Sequence, residues 1–222
     1  MTDQIKVTFL NNMGCDKTVV NAARVSFNKQ KQVSDVLGEV TVMLKKDIKL
    51  INYLAKHKHL SPFGHCFASF HVKAPIFVAR QLVKHKFIRW NEVSRRYVDD
   101  EPEFYTSSVW RGKPVDKKQG SDGIARTDVD VDFVNHTALT AYNDLLADGV
   151  APEQARMILP QSMMTEWWWS GSLDAFADMC KLRLASDTQL ETQIVAQGID
   201  KGMSLLYPYS WNALMNREFN NG

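Results

Sequence analysis

One stretch of the sequence, residues 80–97, concentrates side chains that could do chemistry. It holds six basic side chains around a single acid, Glu92, together with neutral hydrogen-bonding groups. Cations packed this densely repel one another, so they need either open water or a bound anion. The basic residues are Arg80, Lys84, Lys86, Arg89, Arg95 and Arg96, and the neutral ones are Gln81, His85, Asn91 and Ser94.

Apolar residues interleave with these charges, which bears on whether the stretch is a solvated surface or a binding site. A solvated basic face is the simpler interpretation of the charge alone. Half-buried apolar side chains favour a site, because they hold polar groups at the edge of a core. The polar groups suit a phosphate and a planar polar ring, with anion stabilisation as their main contribution. The apolar residues are Leu82, Val83, Phe87, Ile88, Trp90, Val93 and Tyr97.

The composition indicates one globular domain spanning residues 1–222. Hydrophobic residues make up 45% and charged residues 23% of the 222, which is typical of a chain that buries its own core. The net charge is +2, so nucleic-acid binding would have to depend on a local patch. A single-strand-binding module that uses the basic stretch and the tryptophans at 167–169 is an alternative from another class, and Glu92 within the patch argues against it.

Cysteine usage does not indicate a disulfide framework. His57, His59 and His65 could suggest a metal site, but only Cys66 lies at ligand spacing from them, so a metal site is not expected. Cys15, Cys66 and Cys180 are odd in number and show no Cys-x-x-Cys spacing, as is usual in a reducing compartment. Residues 1–30 lack a basic segment followed by an apolar run, and no stretch approaches about twenty apolar residues. We therefore expect a cytoplasmic protein, in the host cytoplasm if the gene is viral, with no metal, no membrane association and no nucleic-acid partner.

The hydrophobic periodicity predicts a mixed chain whose C-terminal half is mostly helical. Alternation predicts strands at residues 5–10 and 67–74, and a polar, glycine-containing segment at about 101–130 predicts a long loop. Asp16 is the expected cap of the first helix. Helical spacing predicts helices at residues 18–27, 42–57, 76–85, 133–146, 153–159, 173–184, 188–199 and 203–214.

Helical positions also suggest which functional side chains lie together. On the helix expected at 76–85, Gln81, Lys84 and His85 would share one face.

Arg156 lies in an apolar setting, where it needs an anionic or carbonyl partner. The three tryptophans at 167–169 suit packing in a core or a subunit interface, or stacking on a planar ligand.

Several common catalytic motifs are absent from the sequence. There is no Gly-x-Gly-x-x-Gly and no Walker-type loop, so a Rossmann or P-loop nucleotide site is not expected. There is also no Gly-x-Ser-x-Gly elbow to support serine catalysis. Any difficult chemistry would therefore have to come from a redox cofactor.

Six segments, in order, resemble the flavin-dependent thymidylate synthase family over almost the whole chain. The fourth, with the pattern Asn-Glu-x-Ser-x-Arg-Tyr, is the signature of that family. The segments are Val20-Asn-Ala-Ala-Arg-Val-Ser-Phe27, His57-x-His-x-Ser-Pro-Phe63 with His65, Phe70-His-Val-Lys-Ala-Pro-Ile-Phe-Val-Ala-Arg-Gln81, residues 91–97, Ala155-Arg-x-x-Leu-Pro160, and Leu182-Arg-Leu with Gln189 and Glu191.

This resemblance implies a fold and an activity. The fold is α+β, a mixed or antiparallel sheet with flanking helices and a mostly helical C-terminal half, and is not a Rossmann fold. The activity is methylation of dUMP to dTMP, with methylenetetrahydrofolate as carbon donor, NADPH as reductant and FAD as the hydride carrier. The family forms a homotetramer whose active sites are shared between chains.

The resemblance also implies roles for individual residues. Arg183 is the expected catalytic residue, because it matches the arginine that bonds the pyrimidine and favours ionisation at N3. Residues 84–96 would form one wall of the site, and Arg156 and Arg183 another. The substrate-binding set is Gln81, Lys84, Glu92, Val93, Ser94, Arg95, Arg96, Arg156 and Arg183. The cofactor-binding set is His59, Ser61, Lys84, His85, Lys86, Glu92, Ser172, Asp174 and Asp178.

Some positions depart from the family pattern. Lys84-His85-Lys86 replaces Arg-His-Arg, and lysine offers a point charge where guanidinium offers a planar fork. Arg89 replaces a usual serine, and Asp174 and Asp178 stand where Asn or Arg is common. These changes leave open an altered pyrimidine chemistry on the same fold, such as hydroxymethylation of dUMP or methylation of dCMP.

Overall fold

The computed structural model describes residues 4–26, 43–98, 100–116 and 120–217, and a four-stranded antiparallel sheet lies at its centre. The strands in the described ranges are β1 (Lys6–Met13), β2 (Phe67–Pro75), β3 (Ile88–Glu92), β4 (Arg111–Gly112), β5 (Asp122–Ile124) and β6 (Met164–Ser172). The sheet order is β1-β2-β6-β3, and β4 pairs with β5 in a separate hairpin. The antiparallel order and the many helices confirm the expected α+β class.

The helices in the described ranges flank this sheet and fill most of the C-terminal half. They are α1 (Asp16–Val25), α2 (Lys45–Lys56), α3 (Ile76–Leu82), α4 (Val131–Ala147), α5 (Pro152–Ala155), α6 (Leu173–Arg183), α7 (Leu190–Leu206) and α8 (Pro208–Leu214). Short 3-10 turns lie at Phe63–His65 and Arg156–Ile158. None of the described helices has the length and apolar character needed to cross a bilayer.

The tryptophan run lies on β6, where side chains alternate between the two faces of the sheet. Trp167 and Trp169 are buried, whereas Trp168 is 47% exposed on the other face. Across the β2–β6 pair, Phe70 is the partner of Trp169. Core packing is therefore confirmed for two of the three tryptophans.

Helix α7 packs closely on the sheet because it carries two glycines on the face that meets it. A Cβ at Gly198 would lie 2.7 Å from Val7 of β1, and one at Gly202 would lie 2.8 Å from Phe70 of β2. Real Cβ atoms do not approach this closely. Any larger residue at these two positions would push α7 away from the core.

Two buried carboxylates tie the N-terminal helices to the rest of the chain. Burial favours a raised pKa for Asp47, but hydrogen bonds from Lys17 at 2.7 Å and from Arg24 outweigh it and lower that pKa. Asp16 is not the cap of α1, because Cys15 occupies the N-cap position. The Asp16 carboxylate instead accepts hydrogen bonds from two backbone N–H groups in the first turn of α8, those of Tyr209 and Ser210.

Several predicted boundaries were wrong near the site. The helix expected at 76–85 ends at Leu82, so Lys84 and His85 follow it in a turn. Residues 88–92 form β3, which the sequence did not predict, because pairing with β6 stabilises an otherwise highly charged segment. The helix expected at 153–159 is α5 followed by a 3-10 turn. The long loop contains the β4–β5 hairpin.

The final two helices break at a different place from the one expected. Helix α7 continues to Leu206 through the predicted gap at residues 200–202, and α8 starts at Pro208. Proline is well suited to the first turn of a helix and cannot continue the preceding one. The ends of the predicted helices at Phe27 and Val42 lie outside the described residues.

Candidate active site

Two cavities lie on different faces of α3, and they contain most of the predicted substrate-binding residues. The first, which we name the Arg183 cavity, has a volume of about 790 Å³ and includes Phe77 and Gln81 from α3. The second, the Arg156 cavity, has a volume of about 670 Å³ and includes Ile76 and Arg80 from the same helix. Both are large enough for a ligand the size of a nucleotide.

Arg183, at the end of α6, is held by two hydrogen bonds in the first cavity. Its Nε donates to Nε2 of His85 at 2.9 Å, and its Nη2 donates to the backbone oxygen of Gln81 at 3.3 Å. Burial lowers the pKa of Arg183, but a guanidinium group stays charged in proteins. Its Nη1 has no partner in the part of the chain that the structure describes, so it is free to donate to a ligand.

The imidazole of His85 is neutral in this arrangement. Burial, and then the charge of Arg183, lower the pKa of His85 to about 4. A neutral imidazole can accept at Nε2 only if its proton is on Nδ1. The ring therefore acts as a hydrogen-bond acceptor for Arg183.

Gln81 is fixed at both ends of its side-chain amide. Its nitrogen donates to Gln189, and its oxygen accepts from the Thr192 hydroxyl at 3.1 Å. Both partners lie at the start of α7. The α3–α7 contact thus sets the orientation of Gln81 at the edge of the cavity.

The outer wall of the Arg183 cavity comes from the segment around the β4–β5 hairpin. Arg111 donates to both carboxylate oxygens of Glu191 at 2.8 and 2.7 Å, and Glu191 is only 3% exposed. The Tyr105 hydroxyl donates to the same carboxylate at 3.4 Å. Gly120 lies against the backbone of Asp187, where a Cβ would be 3.0 Å from the carbonyl oxygen. The segment is therefore fastened to the start of α7.

Sequence reasoning did not assign a role to Arg111 or Tyr105. Both lie in the polar segment that showed no periodicity, and nothing in the local sequence indicates that Glu191, eighty residues later, is their partner. Glu191 itself was present only among the residues of the family resemblance. The available signal is Glu191 itself, an acid in the first turn of a helix that packs on the core. An unpaired buried carboxylate is costly, so a basic partner is expected for it.

The Arg156 cavity brings together residues 92–95, at and just after the end of β3. Of the described residues that line it, the acids are Glu92 and Glu153, and hydrogen bonds hold the carboxylate of Glu92. The Glu92 carboxylate accepts from the Thr165 hydroxyl at 2.8 Å and from the Trp90 indole at 3.0 Å. The Trp90 ring stacks on Trp167 with a centroid distance of 4.3 Å. The buried tryptophans of β6 therefore support the orientation of Glu92.

The basic side chains of the Arg156 cavity keep unused donors. Arg156 donates from Nε to the Glu153 carbonyl at 3.3 Å, and neither of its Nη atoms has a partner among the described residues. Arg95 donates from Nη1 to the backbone of Asp100. Arg96 lies outside this cavity, with Nε 3.4 Å from the Ser94 hydroxyl and its guanidinium over the Tyr97 ring. The structure thus places Arg156 beside residues 92–95 rather than beside Arg183.

The predicted cofactor-binding residues are distributed over several places on one chain. His59 and Ser61 line a third cavity, and Asp178 lines a fourth, where Lys181 is 3.7 Å away. Ser172 precedes α6 and donates to Asp174 at 2.6 Å. Lys84 and Lys86 are exposed. A single chain does not bring these residues into one pocket.

Comparison with known proteins gives the class of the chain. A family model described as thymidylate synthase complementing protein matches residues 8–209, and relatives named flavin-dependent thymidylate synthase match most of the chain. The chain is therefore a flavin-dependent methyltransferase. The chain belongs to the flavin-dependent thymidylate synthase family.

Named relatives and solved structures agree with this assignment. The flavin-dependent thymidylate synthase of Thermus thermophilus is 38% identical over 210 residues, which cover 93% of this chain and 74% of the relative. That of Kosmotoga olearia is 37% identical over 210 residues, covering 92% and 87%. The chain is also similar to the UMP/dUMP methylase PolB of Streptomyces cacaoi bound with 5-Br dUMP, with a TM-score of 0.81, 28% identity and coverage of 96% and 95%.

Proposed function

We propose that this chain methylates dUMP to dTMP, with methylenetetrahydrofolate as carbon donor, NADPH as reductant and FAD as cofactor. The observation that carries the proposal is Arg183, whose guanidinium is fixed by two hydrogen bonds while Nη1 stays free to bind a ligand. Membership of the family supports the reaction. The cavity supports the assignment of the residues.

Arg183 is the group that prepares the pyrimidine for reaction. A fixed cation beside the ring stabilises negative charge as the proton leaves N3, because the guanidinium does not have to reorganise. The resulting anion is more nucleophilic at C5, the atom that receives the carbon. Gln81, fixed by Gln189 and Thr192, lies in the same cavity and is the second ligand of the base.

The Arg156 cavity suits the phosphate and sugar of the nucleotide. Free guanidinium nitrogens bind phosphate oxygens strongly, often in pairs, and Arg156 offers such a fork. Arg95 and the Ser94 hydroxyl add donors. Glu92, held by Thr165 and Trp90, is an acceptor suited to a sugar hydroxyl.

The two cavities can also belong to different active sites, each completed by a second copy of the chain. Adjacent side chains of α3 line the two cavities, with Phe77 and Gln81 in one and Ile76 and Arg80 in the other. We assign the base to the Arg183 cavity of one chain and the phosphate to the Arg156 cavity of another. A homotetramer with shared active sites has this property, and sharing also explains why the cofactor residues are scattered over one chain.

The residues at the cofactor positions fit a flavin dinucleotide if the lysines bind its diphosphate and the aspartates bind its hydroxyl groups. Lys84 and Lys86 are exposed and form no ion pair within the described residues, so they suit the diphosphate. The carboxylates of Asp174 and Asp178 would repel a diphosphate but accept hydrogen bonds from hydroxyls, as acids do in other nucleotide sites. His59 and Ser61 add neutral donors and acceptors. The bound flavin would supply the hydride for reduction.

Product analysis tests this proposal. The purified, flavin-loaded protein should convert dUMP to dTMP when methylenetetrahydrofolate and NADPH are both present, as measured by mass spectrometry of the nucleotide. UMP should be run in parallel because the chain also resembles a UMP/dUMP methylase. A parallel reaction with dCMP tests the alternative that the same fold methylates dCMP. Colourless protein that does not take up FAD, or a product with hydroxymethyl mass, contradicts the proposal.

A further inference from the structure

We infer that His85 is a positioning residue for Arg183, and that its neutral Nε2 sets the direction in which the guanidinium meets the pyrimidine. The inference rests on the proposed function of Arg183. It gives His85 a role through another side chain, which differs from the direct flavin contact that the family resemblance implies.

The geometry of the turn after α3 places the imidazole for this role. Helix α3 ends at Leu82, and the backbone N–H of His85 donates to the Leu82 carbonyl at 3.1 Å. This bond fixes the base of the side chain close to the end of the helix. The ring then reaches α6, where its Nε2 is 2.9 Å from Nε of Arg183.

The bond controls which guanidinium atoms remain available. Arginine presents five N–H donors in a fixed plane. His85 accepts the one on Nε, and the Gln81 carbonyl accepts one on Nη2 at 3.3 Å. Two acceptors on one side of a rigid plane set its rotation, so the free Nη1 edge points in one direction only. Without His85, the plane would rotate about the remaining bond.

Other acceptors near Arg183 do not replace His85. Within the described residues, the acids of this cavity are Glu191, which is already bonded to Arg111 and Tyr105, and Asp187. No hydrogen bond or ion pair joins either of them to Arg183. A neutral acceptor also leaves the full positive charge of Arg183 for the substrate, whereas a carboxylate would offset that charge.

Two amide variants separate this role from a general structural one. The side-chain oxygen of Gln in H85Q lies close to the position of Nε2, whereas that of Asn in H85N reaches only to the position of Nδ1. Both variants replace the imidazole by an uncharged side-chain amide and differ by one methylene group. H136N is the matched control, because His136 is an exposed histidine on α4.

The expected result is a difference in nucleotide affinity between the two variants. Flavin-loaded H85N should bind dUMP about tenfold more weakly than the wild type, because a guanidinium that is free to rotate loses its hydrogen bond to the pyrimidine, and a hydrogen bond to a charged group contributes about 1.5 kcal/mol or more. H85Q and H136N should stay within about threefold of the wild type. The dUMP affinity is measured by calorimetry, and flavin affinity is measured separately by fluorescence titration.

A double variant tests whether His85 acts through Arg183. In an R183K chain, which lacks the Nε–H donor, adding H85N should cost little further dUMP affinity, because interacting residues are non-additive. Equal losses for H85N and H85Q, or a loss of flavin affinity with unchanged dUMP affinity, overturn the inference. If R183K alone leaves dUMP affinity and turnover unchanged, the assignment of Arg183 fails instead, and the two failures are thus distinguishable.

Discussion

Replacing Arg183 by Ala should abolish detectable turnover while leaving flavin bound. Removing one fixed donor that stabilises a developing anion costs about 10²–10³-fold in kcat, and Arg183 supplies both a donor and the full charge. Its contacts on the described chain are to His85 and Gln81, so the loss is chemical rather than structural. Single-turnover formation of dTMP and the flavin absorbance are the two measurements.

The Arg183→Lys variant is the informative comparison for this result. Lysine keeps the charge but replaces the planar fork with a point charge, so it cannot bond His85, the Gln81 carbonyl and a ligand in the same geometry. Its kcat should lie between those of Ala and the wild type. Near-normal kcat in the Ala variant would show that another group ionises the pyrimidine.

Replacing Arg156 by Ala should raise the KM for dUMP with a smaller effect on kcat. In the proposed site its free Nη atoms would hold the phosphate, which does not change during the reaction. The variant would therefore lose the same binding energy in the ground state and in the transition state. Losing a charge-assisted hydrogen bond of about 1.5–3 kcal/mol corresponds to about a 10–100-fold rise in KM. Steady-state kinetics over a range of dUMP concentrations measures this.

The control for Arg156 is Arg126→Ala, which removes an exposed arginine from the loop before α4. Its KM should match that of the wild type. Deoxyuridine, which lacks the phosphate, provides a second control, because it should be used equally poorly by the wild type and the Arg156→Ala variant. A loss of kcat at saturating dUMP, with unchanged KM, would place Arg156 at the chemistry rather than at the phosphate.

The sequence predicted the elements with strong periodicity and missed those that depend on distant partners. The helices around Ile51 and Phe176 follow from apolar spacing alone. Strand β3 does not, because its pairing with β6 joins segments about eighty residues apart and overrides a charged local sequence. The same holds for the Arg111–Glu191 pair.

The site residues show the same division. Motif matching identified Gln81, Lys84, residues 92–96, Arg156 and Arg183 as a set. All of them except Lys84 and Arg96 line one of the two cavities. Motif matching could not show that Arg183 and Arg156 line different cavities, because that depends on where the helices end and on what packs around them. Nor could it show that His85 bonds Arg183, since that bond depends on the early end of α3 at Leu82.

The central claim is that one active site draws Arg183 and Arg156 from different chains, and co-expression of R183A with R156A tests it most directly. Each variant alone should be inactive or nearly so at low dUMP. In mixed oligomers, about a quarter of the sites should receive an intact Arg183 from one chain and an intact Arg156 from another. Recovery of about a quarter of the wild-type activity is the expected result. No recovery in oligomers shown to be mixed would contradict the claim, because both residues would then have to come from the same chain.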